Sequence, residues 1–188
     1  MPQTSTKQRA RKAETTREKL LDAGLDEFAD RGYTATRLAD VVGAAGLTTG
    51  AFYRHFESKA QFVQVLFDAY SDGLQDALGE SKGLAEKAEA WMIVARRYRG
   101  VVRSLLEVSR DEEAVAAQRQ RLRDTCAGIL ALDLQPALTG REARRAALVL
   151  VDVLAHYALS EAAGWIPPRP PAQVGTEFRH LVERGLYK

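Results

Sequence analysis

Apolar residues recur at three- and four-residue spacing along most of this 188-residue chain, and no segment alternates between apolar and polar positions for long. Such spacing places the apolar side chains on one stripe of an α-helix, whereas a half-buried strand requires a period of two. Alanine, leucine, arginine and glutamate recur throughout, a balance that favours helices over strands. The sequence therefore predicts an all-α fold, and its length is sufficient to bury a core without disulfide bonds.

The N-terminal part of the chain is predicted to hold four helices. The first helix begins at Glu14, and Gly32 is placed to end it with a left-handed cap. Thr36 is the predicted N-cap of the second helix, and Gly46 supplies the sharp turn that follows it. The four helices are predicted over residues 14–30, 37–45, 50–55 and 59–79.

The remainder of the chain keeps the same helical pattern. Four further helices are predicted over residues 84–108, 111–134, 141–163 and 172–186, with a stiff proline-rich connector at 167–171 before the last. The positions of the predicted helices divide the chain into three structural units. They are a basic flexible arm at 1–13 with Lys7, Arg9, Arg11 and Lys12, an N-terminal helical domain at 14–74, and a C-terminal helical bundle at 75–188.

The second and third helices, joined through Gly46, form a predicted helix-turn-helix. In this motif the second of the paired helices enters the major groove of DNA while the first crosses the backbone. Gly50 and Ala51 keep the leading face of the third helix small, and polar donors surround it. The net charge of +2 is too small to indicate nucleic-acid binding by itself, so this prediction depends on the pattern.

Residues 14–70 resemble the DNA-binding domain of TetR-family repressors. The resemblance rests on the motifs Gly32-Tyr33-x-Ala35-Thr36 and Ala45-Gly46-Leu47-Thr48-x-Gly50-x-Phe52-Tyr53-x-His55-Phe56-x-Ser58-Lys59. Three positions depart from the family's usual residues, namely Arg37, Val42 and Phe52. The resemblance implies three helices that form a helix-turn-helix domain, joined by a fourth helix to a C-terminal bundle that senses a ligand and dimerises.

The same resemblance implies which residues contact DNA. Thr48, Tyr53 and Lys59 are expected to hold phosphates, with Lys59 at the amino end of the fourth helix, where the helix dipole attracts anions. The residues expected at base edges are Thr49, Gly50 and Ala51, with help from Arg37 and Arg54. His55 is either close to a phosphate or packed at the end of the helix.

Dimerisation through the last two helices is also implied, and the apolar character of residues 141–163 on more than one face supports it. The alternative is that this segment is only a central core helix. The predicted interface residues are Ala147, Leu150, Val151, Leu154, Ala158, Phe178, Leu181 and Val182.

An effector site is expected among aromatic and isolated polar residues of the bundle, and the alternative for each of these residues, core packing, is the commoner role of such side chains. The candidates are Trp91, Met92, Tyr98, Cys126, His156 and Tyr157. Two arginine groups would suit an anionic effector or, alternatively, lie on solvated helix faces. They are Arg96, Arg97, Arg99 and Arg103, and then Arg119, Arg121 and Arg123.

The expected function is that of a cytoplasmic, nucleoid-associated homodimer that represses transcription from a palindromic DNA operator until a small molecule releases it. No enzymatic activity, cofactor, metal or membrane contact is expected. The sequence has no metal-ligand spacing, nucleophile elbow or phosphate loop, and its three histidines, His55, His156 and His180, are scattered. The alternatives are a ligand-responsive activator and a helical-bundle interaction protein without DNA binding.

Overall fold

A computed structural model describes residues 3–108, 113–135 and 137–186. Within these ranges the chain forms nine helices and no strand, so the predicted all-α fold is confirmed. The helices are α1 (Gln3–Arg31), α2 (Leu38–Ala44), α3 (Thr49–Phe52), α4 (Lys59–Glu80), α5 (Gly83–Arg97), α6 (Arg99–Val108), α7 (Glu113–Leu134), α8 (Gly140–Ala162) and α9 (Pro171–Leu186).

Two predicted boundaries are wrong. Helix α1 continues back to Gln3, so residues 3–13 are helical rather than an arm, because no glycine or proline interrupts the lysine, arginine, glutamine and alanine residues of that stretch. The single helix predicted over 84–108 is two helices, α5 and α6. They are separated at Tyr98, whose φ of −104° and ψ of 28° leave the helical region.

The loop between α1 and α2 is organised differently from the prediction. Thr36 is 1% exposed, and its hydroxyl donates to the carbonyls of Gly32 and Glu27 at the end of α1 instead of capping α2. The carboxylate of Asp40 caps α2, because it accepts the backbone N–H of Arg37 at 2.8 Å. Gly32 and Gly46 have φ angles of +81° and +65°, as their turns require.

Four phenylalanines hold the N-terminal helices together. Phe28 on α1, Phe52 on α3, Phe56 after α3 and Phe62 on α4 are each no more than 2% exposed. Their ring centroids lie 5.3 Å apart for Phe52 and Phe62, 4.8 Å for Phe56 and Phe62, and 6.1 Å for Phe28 and Phe62. Edge-to-face contacts of this kind fix ring orientation, so α3 is held rigidly on its neighbours.

Helix α4 connects the helix-turn-helix to the bundle. Its first half carries Phe62, and its second half buries Leu74 and Leu78 in the core of the bundle. The boundary predicted between residues 74 and 75 lies inside this continuous helix. A displacement of the second half of α4 is therefore transmitted to the first half.

Helix α6 docks directly on the C-terminal half of α1. A Cβ placed on Gly100 would lie 2.5 Å from the carbonyl oxygen of Leu25 and 2.6 Å from the backbone nitrogen of Ala29. Arg99 pairs with Asp30 at 2.9 Å. The carboxylate of Glu107 accepts the backbone N–H of Thr34 at 2.7 Å. The bundle therefore contacts the DNA-binding unit through α6 as well as through α4.

Most of the predicted dimer interface faces the subunit's own core. Seven of its eight residues are buried within one chain: Ala147, Leu150, Val151, Leu154, Ala158, Phe178 and Val182. Leu181 alone of the eight is exposed, at 61%. The periodicity correctly identifies an apolar stripe on α8. However, α8 has apolar residues on two sides, and the stripe that was predicted to face the second subunit packs against the subunit's own core. The outward side of α8 carries Val149 and Val153, which are 61% and 42% exposed.

Candidate DNA-binding surface and ligand cavity

Helix α3 presents a small, exposed face on the aromatic platform. Thr48, Thr49 and Gly50 are exposed and Ala51 is half-buried, while Phe52 on the opposite side is fully buried. The Thr48 side chain accepts the backbone N–H of Ala51 at 3.2 Å and so caps the helix. Because the oxygen acts there as an acceptor, its own O–H remains available to donate to a phosphate.

Further donors surround this face. Tyr53 is 58% exposed, although its ring stays within 5.6 Å of the buried Phe52 ring. Arg54 and Arg37 are exposed, and His55 is half-buried with its ring 6.3 Å from that of Phe56. The predicted base-contacting and phosphate-contacting residues are thus exposed or half-buried at the start of α2 and on or directly beside α3, and one further residue, at the start of α4, is arranged differently.

Lys59 is the exception, because its ammonium group is turned towards the protein. It donates to the backbone carbonyls of Tyr33 and Thr36. It also lies 4.1 Å from the centroid of the Tyr33 ring. Burial lowers the pKa of Lys59, and the nearby carboxylates of Glu107 and Asp40 oppose that shift. In this arrangement Lys59 braces the α1–α2 loop against the start of α4.

We expect Lys59→Met to lower the free energy of unfolding by about 1–3 kcal/mol, because two carbonyls lose a charged donor and a cation–π contact is removed. Urea denaturation of the purified variant measures this loss. Lys82→Met is the matched control, because Lys82 is exposed and, among the residues that the structure describes, only its backbone N–H makes a hydrogen bond. Equal stability of the two variants would contradict the bracing role.

A cavity of about 390 Å³ lies among α4, α5, α6, α7 and α8. Two of the six predicted effector residues, Trp91 and His156, line it. Its other lining residues are Phe67, Tyr70, Val102, Leu105, Ala116, Arg119, Gln120, Leu122, Arg123, Val151, Asp152, Ala155 and Leu159. The sequence could not indicate most of these residues, because five separate helices contribute them.

The other four predicted effector residues lie elsewhere. Met92 lines a second cavity of about 520 Å³, whose arginines are already paired: Arg96 with Glu161, and Arg99 with Asp30. Tyr98, Cys126 and Tyr157 are not among the residues that line either cavity. Cys126 is fully buried, and burial raises the pKa of its thiol to about 12, so the group is an inert part of the core.

The described residues contain neither a candidate membrane span nor a candidate metal site. No helix is both long enough and apolar enough to cross a bilayer, judged over the described parts of the chain. In the same residues, no three histidine, cysteine, aspartate or glutamate side chains are grouped as a metal site would require.

Comparison with known proteins concentrates on the N-terminal unit. Residues 20–66 match the family model described as bacterial regulatory proteins, tetR family. The transcriptional repressor KstR2 of Rhodococcus jostii is 33% identical over 87 residues, which are 45% of this chain and 43% of that protein. The transcriptional regulator TtgR of Pseudomonas putida is 44% identical over 57 residues, 30% of this chain and 27% of that protein. These matches therefore cover less than half the length of either relative.

The whole chain is similar in fold to solved regulators. A transcriptional regulator from Rhodococcus sp. RHA1 superposes with a TM-score of 0.72 at 21% identity, covering 90% of this chain and 96% of that one. At this identity the similarity establishes the fold of the bundle as well as that of the helix-turn-helix. The family match over residues 20–66, which run from within α1 to within α4, shows a DNA-binding domain of the tetR type, and the chain as a whole has the fold of solved transcriptional regulators.

Proposed function

We propose that this chain is a homodimeric DNA-binding repressor that a small molecule releases from a palindromic operator. TetR-family regulators bind operator DNA and usually act as dimers. The observation that carries the proposal is the face formed by the exposed Thr48, Thr49 and Gly50 and the half-buried Ala51, held on a fully buried aromatic cluster. A rigid, slender helix of this kind can enter a major groove without rearrangement. The proposed site of action is the cytoplasmic nucleoid, and the role requires no enzymatic step.

Binding to a palindrome needs two copies of α3 at a defined separation. Successive major grooves on one side of the duplex lie about 34–36 Å apart, so the two subunits must be held in a fixed relation. The outward side of α8, with Val149 and Val153, is the proposed dimer surface, and the exposed Leu181 of α9 is a second contact. This assignment replaces the inward stripe predicted from the sequence.

The simplest test selects the duplexes that the purified protein binds from a library of random sequences. A gel shift then measures whether the protein binds the region upstream of its own gene. Selection of a palindromic sequence, followed by its release on addition of a small molecule, supports the proposal. Failure to select any sequence over random DNA at physiological salt would contradict it.

We expect Tyr53→Phe to weaken binding to the selected operator and to random duplex by a similar factor of about tenfold. The reason is that the exposed phenol is proposed to donate to a phosphate, a contact that carries no sequence information. Thr49→Val is the comparison, because a change at a proposed base contact alters sequence preference. Both are measured at one salt concentration by fluorescence anisotropy. A Tyr53→Phe protein with unchanged affinity for both duplexes would remove Tyr53 from the proposed surface.

The 390 Å³ cavity is the proposed effector site because it borders α4 and α6, the two helices that link the bundle to the DNA-binding unit. Helix α4 contributes Phe67 and Tyr70 to the cavity wall, and α6 contributes Val102 and Leu105. A ligand changes operator affinity only if it binds one arrangement of these helices more tightly than the other. An effector that fits the cavity only after α4 and α6 shift would therefore change the separation of the two α3 helices.

A further inference from the structure

The walls of the 390 Å³ cavity divide into an apolar floor and a charged mouth. The floor consists of side chains that are no more than 5% exposed: Phe67, Tyr70, Trp91, Val102 and Val151. The mouth consists of exposed or half-buried polar residues on facing turns of α7 and α8: Arg119, Gln120, Arg123, Asp152 and His156. A ligand that fills this space needs an apolar body and one polar end.

Charge at the mouth is positive and only partly neutralised. Arg123 forms a two-pronged ion pair with Asp152, with Nε and Nη2 at 2.6 and 2.7 Å from the two carboxylate oxygens. Asp152 is the only acidic side chain among the described lining residues. Arg119 makes no hydrogen bond or ion pair within the described part of the chain. One guanidinium is therefore left to bind an anion.

The floor adds donors that lack acceptors. Among the described residues, the indole Nε1 of Trp91 is buried without a hydrogen-bond partner. The hydroxyl of Tyr70 makes no hydrogen bond there either, and burial raises the pKa of this phenol, so it keeps its proton. Burial of the Trp91 donor without an acceptor destabilises the protein by about 1–3 kcal/mol. The Trp91 and Tyr70 donors favour occupation of the cavity over an empty site, provided that the occupant carries an oxygen acceptor.

We infer that the effector is an amphipathic monocarboxylic acid whose apolar body lies on the aromatic floor and whose carboxylate pairs with Arg119. This inference rests on the proposed effector role of the cavity. Arginine binds a carboxylate through two parallel hydrogen bonds, which distinguishes an acid from an amide of the same shape. An amine of the same shape would be repelled by Arg119. A doubly charged phosphate fits less well than a carboxylate, since Arg119 is the single unpaired guanidinium among the described residues that line the cavity.

The two tryptophans of the chain make a direct binding assay possible. Trp165 is 62% exposed and does not line the cavity, so Trp165→Phe leaves Trp91, on the cavity floor, as the single tryptophan, whose emission is excited selectively over that of the tyrosines. Two optically silent probe series are titrated into the full-length protein. One is 4-cyclohexylbutanoate with its primary amide and the corresponding amine, and the other is decanoate, decanamide and decylamine.

We expect at least one acid to shift or quench Trp91 fluorescence and to bind at least about tenfold more tightly than its amide, with the amine weakest. Arg119→Ala should abolish the preference for the acid while the amide binds as before. Arg121→Ala is the matched control, since it removes the same charge from α7 at an exposed residue outside the cavity, and it should retain the preference.

Equal binding of acid and amide, a preference that survives Arg119→Ala, or no binding of either acid would each overturn the inference. The titration contains no DNA, so its outcome is independent of the proposed regulatory function. A wild-type protein that prefers acids but selects no operator would contradict the proposed function and leave the inference on ligand class standing.

Discussion

A glutamate in place of Val149 is expected to separate the proposed dimer into monomers and to lower affinity for the selected operator by at least about 100-fold. Val149 is 61% exposed in the single chain, on the outward side of α8. Burying a carboxylate against an apolar partner surface without a counter-ion costs several kcal/mol, which exceeds what a small interface can offset. Loss of the second subunit removes the gain from binding two half-sites together, commonly a factor of about 10²–10⁴.

Light scattering gives the mass of the variant, and anisotropy with the selected operator gives its affinity. Ile93→Glu is the matched control, since Ile93 is an apolar residue on α5 with 53% exposure, close to that of Val149. The control should remain dimeric and bind the operator normally. A Val149→Glu protein that keeps the mass of a dimer would exclude the outward side of α8 as the interface.

Gly100→Ala is expected to lower the free energy of unfolding by about 1–3 kcal/mol or more, although it adds a single methyl group. That methyl would lie 2.5 Å from the carbonyl oxygen of Leu25 and 2.6 Å from the amide nitrogen of Ala29. Both are backbone atoms of α1, so no side-chain rotation relieves the overlap. Helix α6 must move away from α1, which also weakens the Arg99–Asp30 and Glu107–Thr34 contacts nearby.

The control for this substitution is expected to change stability in the opposite direction. Gly73 lies inside α4, and a Cβ there would meet its nearest neighbour, Cε2 of Tyr98, at 3.9 Å, an ordinary contact distance. Gly73→Ala therefore removes the helix-destabilising effect of glycine without a clash, and should raise the unfolding free energy by about 0.5–1 kcal/mol. Urea unfolding of both variants measures the difference. A Gly100→Ala protein as stable as Gly73→Ala would show that α6 does not pack on α1 as closely as described.

These two variants also probe different parts of the proposed mechanism. Val149→Glu changes how two subunits are held together, whereas Gly100→Ala changes how the bundle contacts the DNA-binding unit within one subunit. If α6 transmits the effector signal, Gly100→Ala should alter the effector concentration needed for operator release, even at temperatures where the variant is fully folded.

Local features of the sequence predicted the helix-turn-helix well. Gly46 adopts the positive φ that its turn requires, and Thr48 and Ser58 cap the helices that follow them. These are interactions among residues within about four positions of each other, so the spacing of residue types is enough to predict them. The same holds for the exposed Thr49 and Gly50, because the buried aromatics around them fix which side of α3 faces outward.

Other features depend on contacts between residues distant in sequence, and only the tertiary structure decides them. Lys59 turns inward because the carbonyls of Tyr33 and Thr36, more than twenty residues earlier, come within reach of its ammonium group. The face of α8 that packs inward is set by the other helices of the bundle, since its own pattern is apolar on two sides. The mouth of the cavity forms where α7 and α8 meet, joined by the ion pair between Arg123 and Asp152.

The sequence by itself thus determines the all-helical fold, the caps of α3 and α4, the turn at Gly46 and the residues that α3 exposes, because each depends on short-range hydrogen bonds and helical periodicity. The tertiary structure decides which side of α8 packs inward, the bracing contact of Lys59 and the lining of the cavity. Helical periodicity identifies the apolar stripes but not the partner against which each is buried, and that choice is made by the packing of all the helices together.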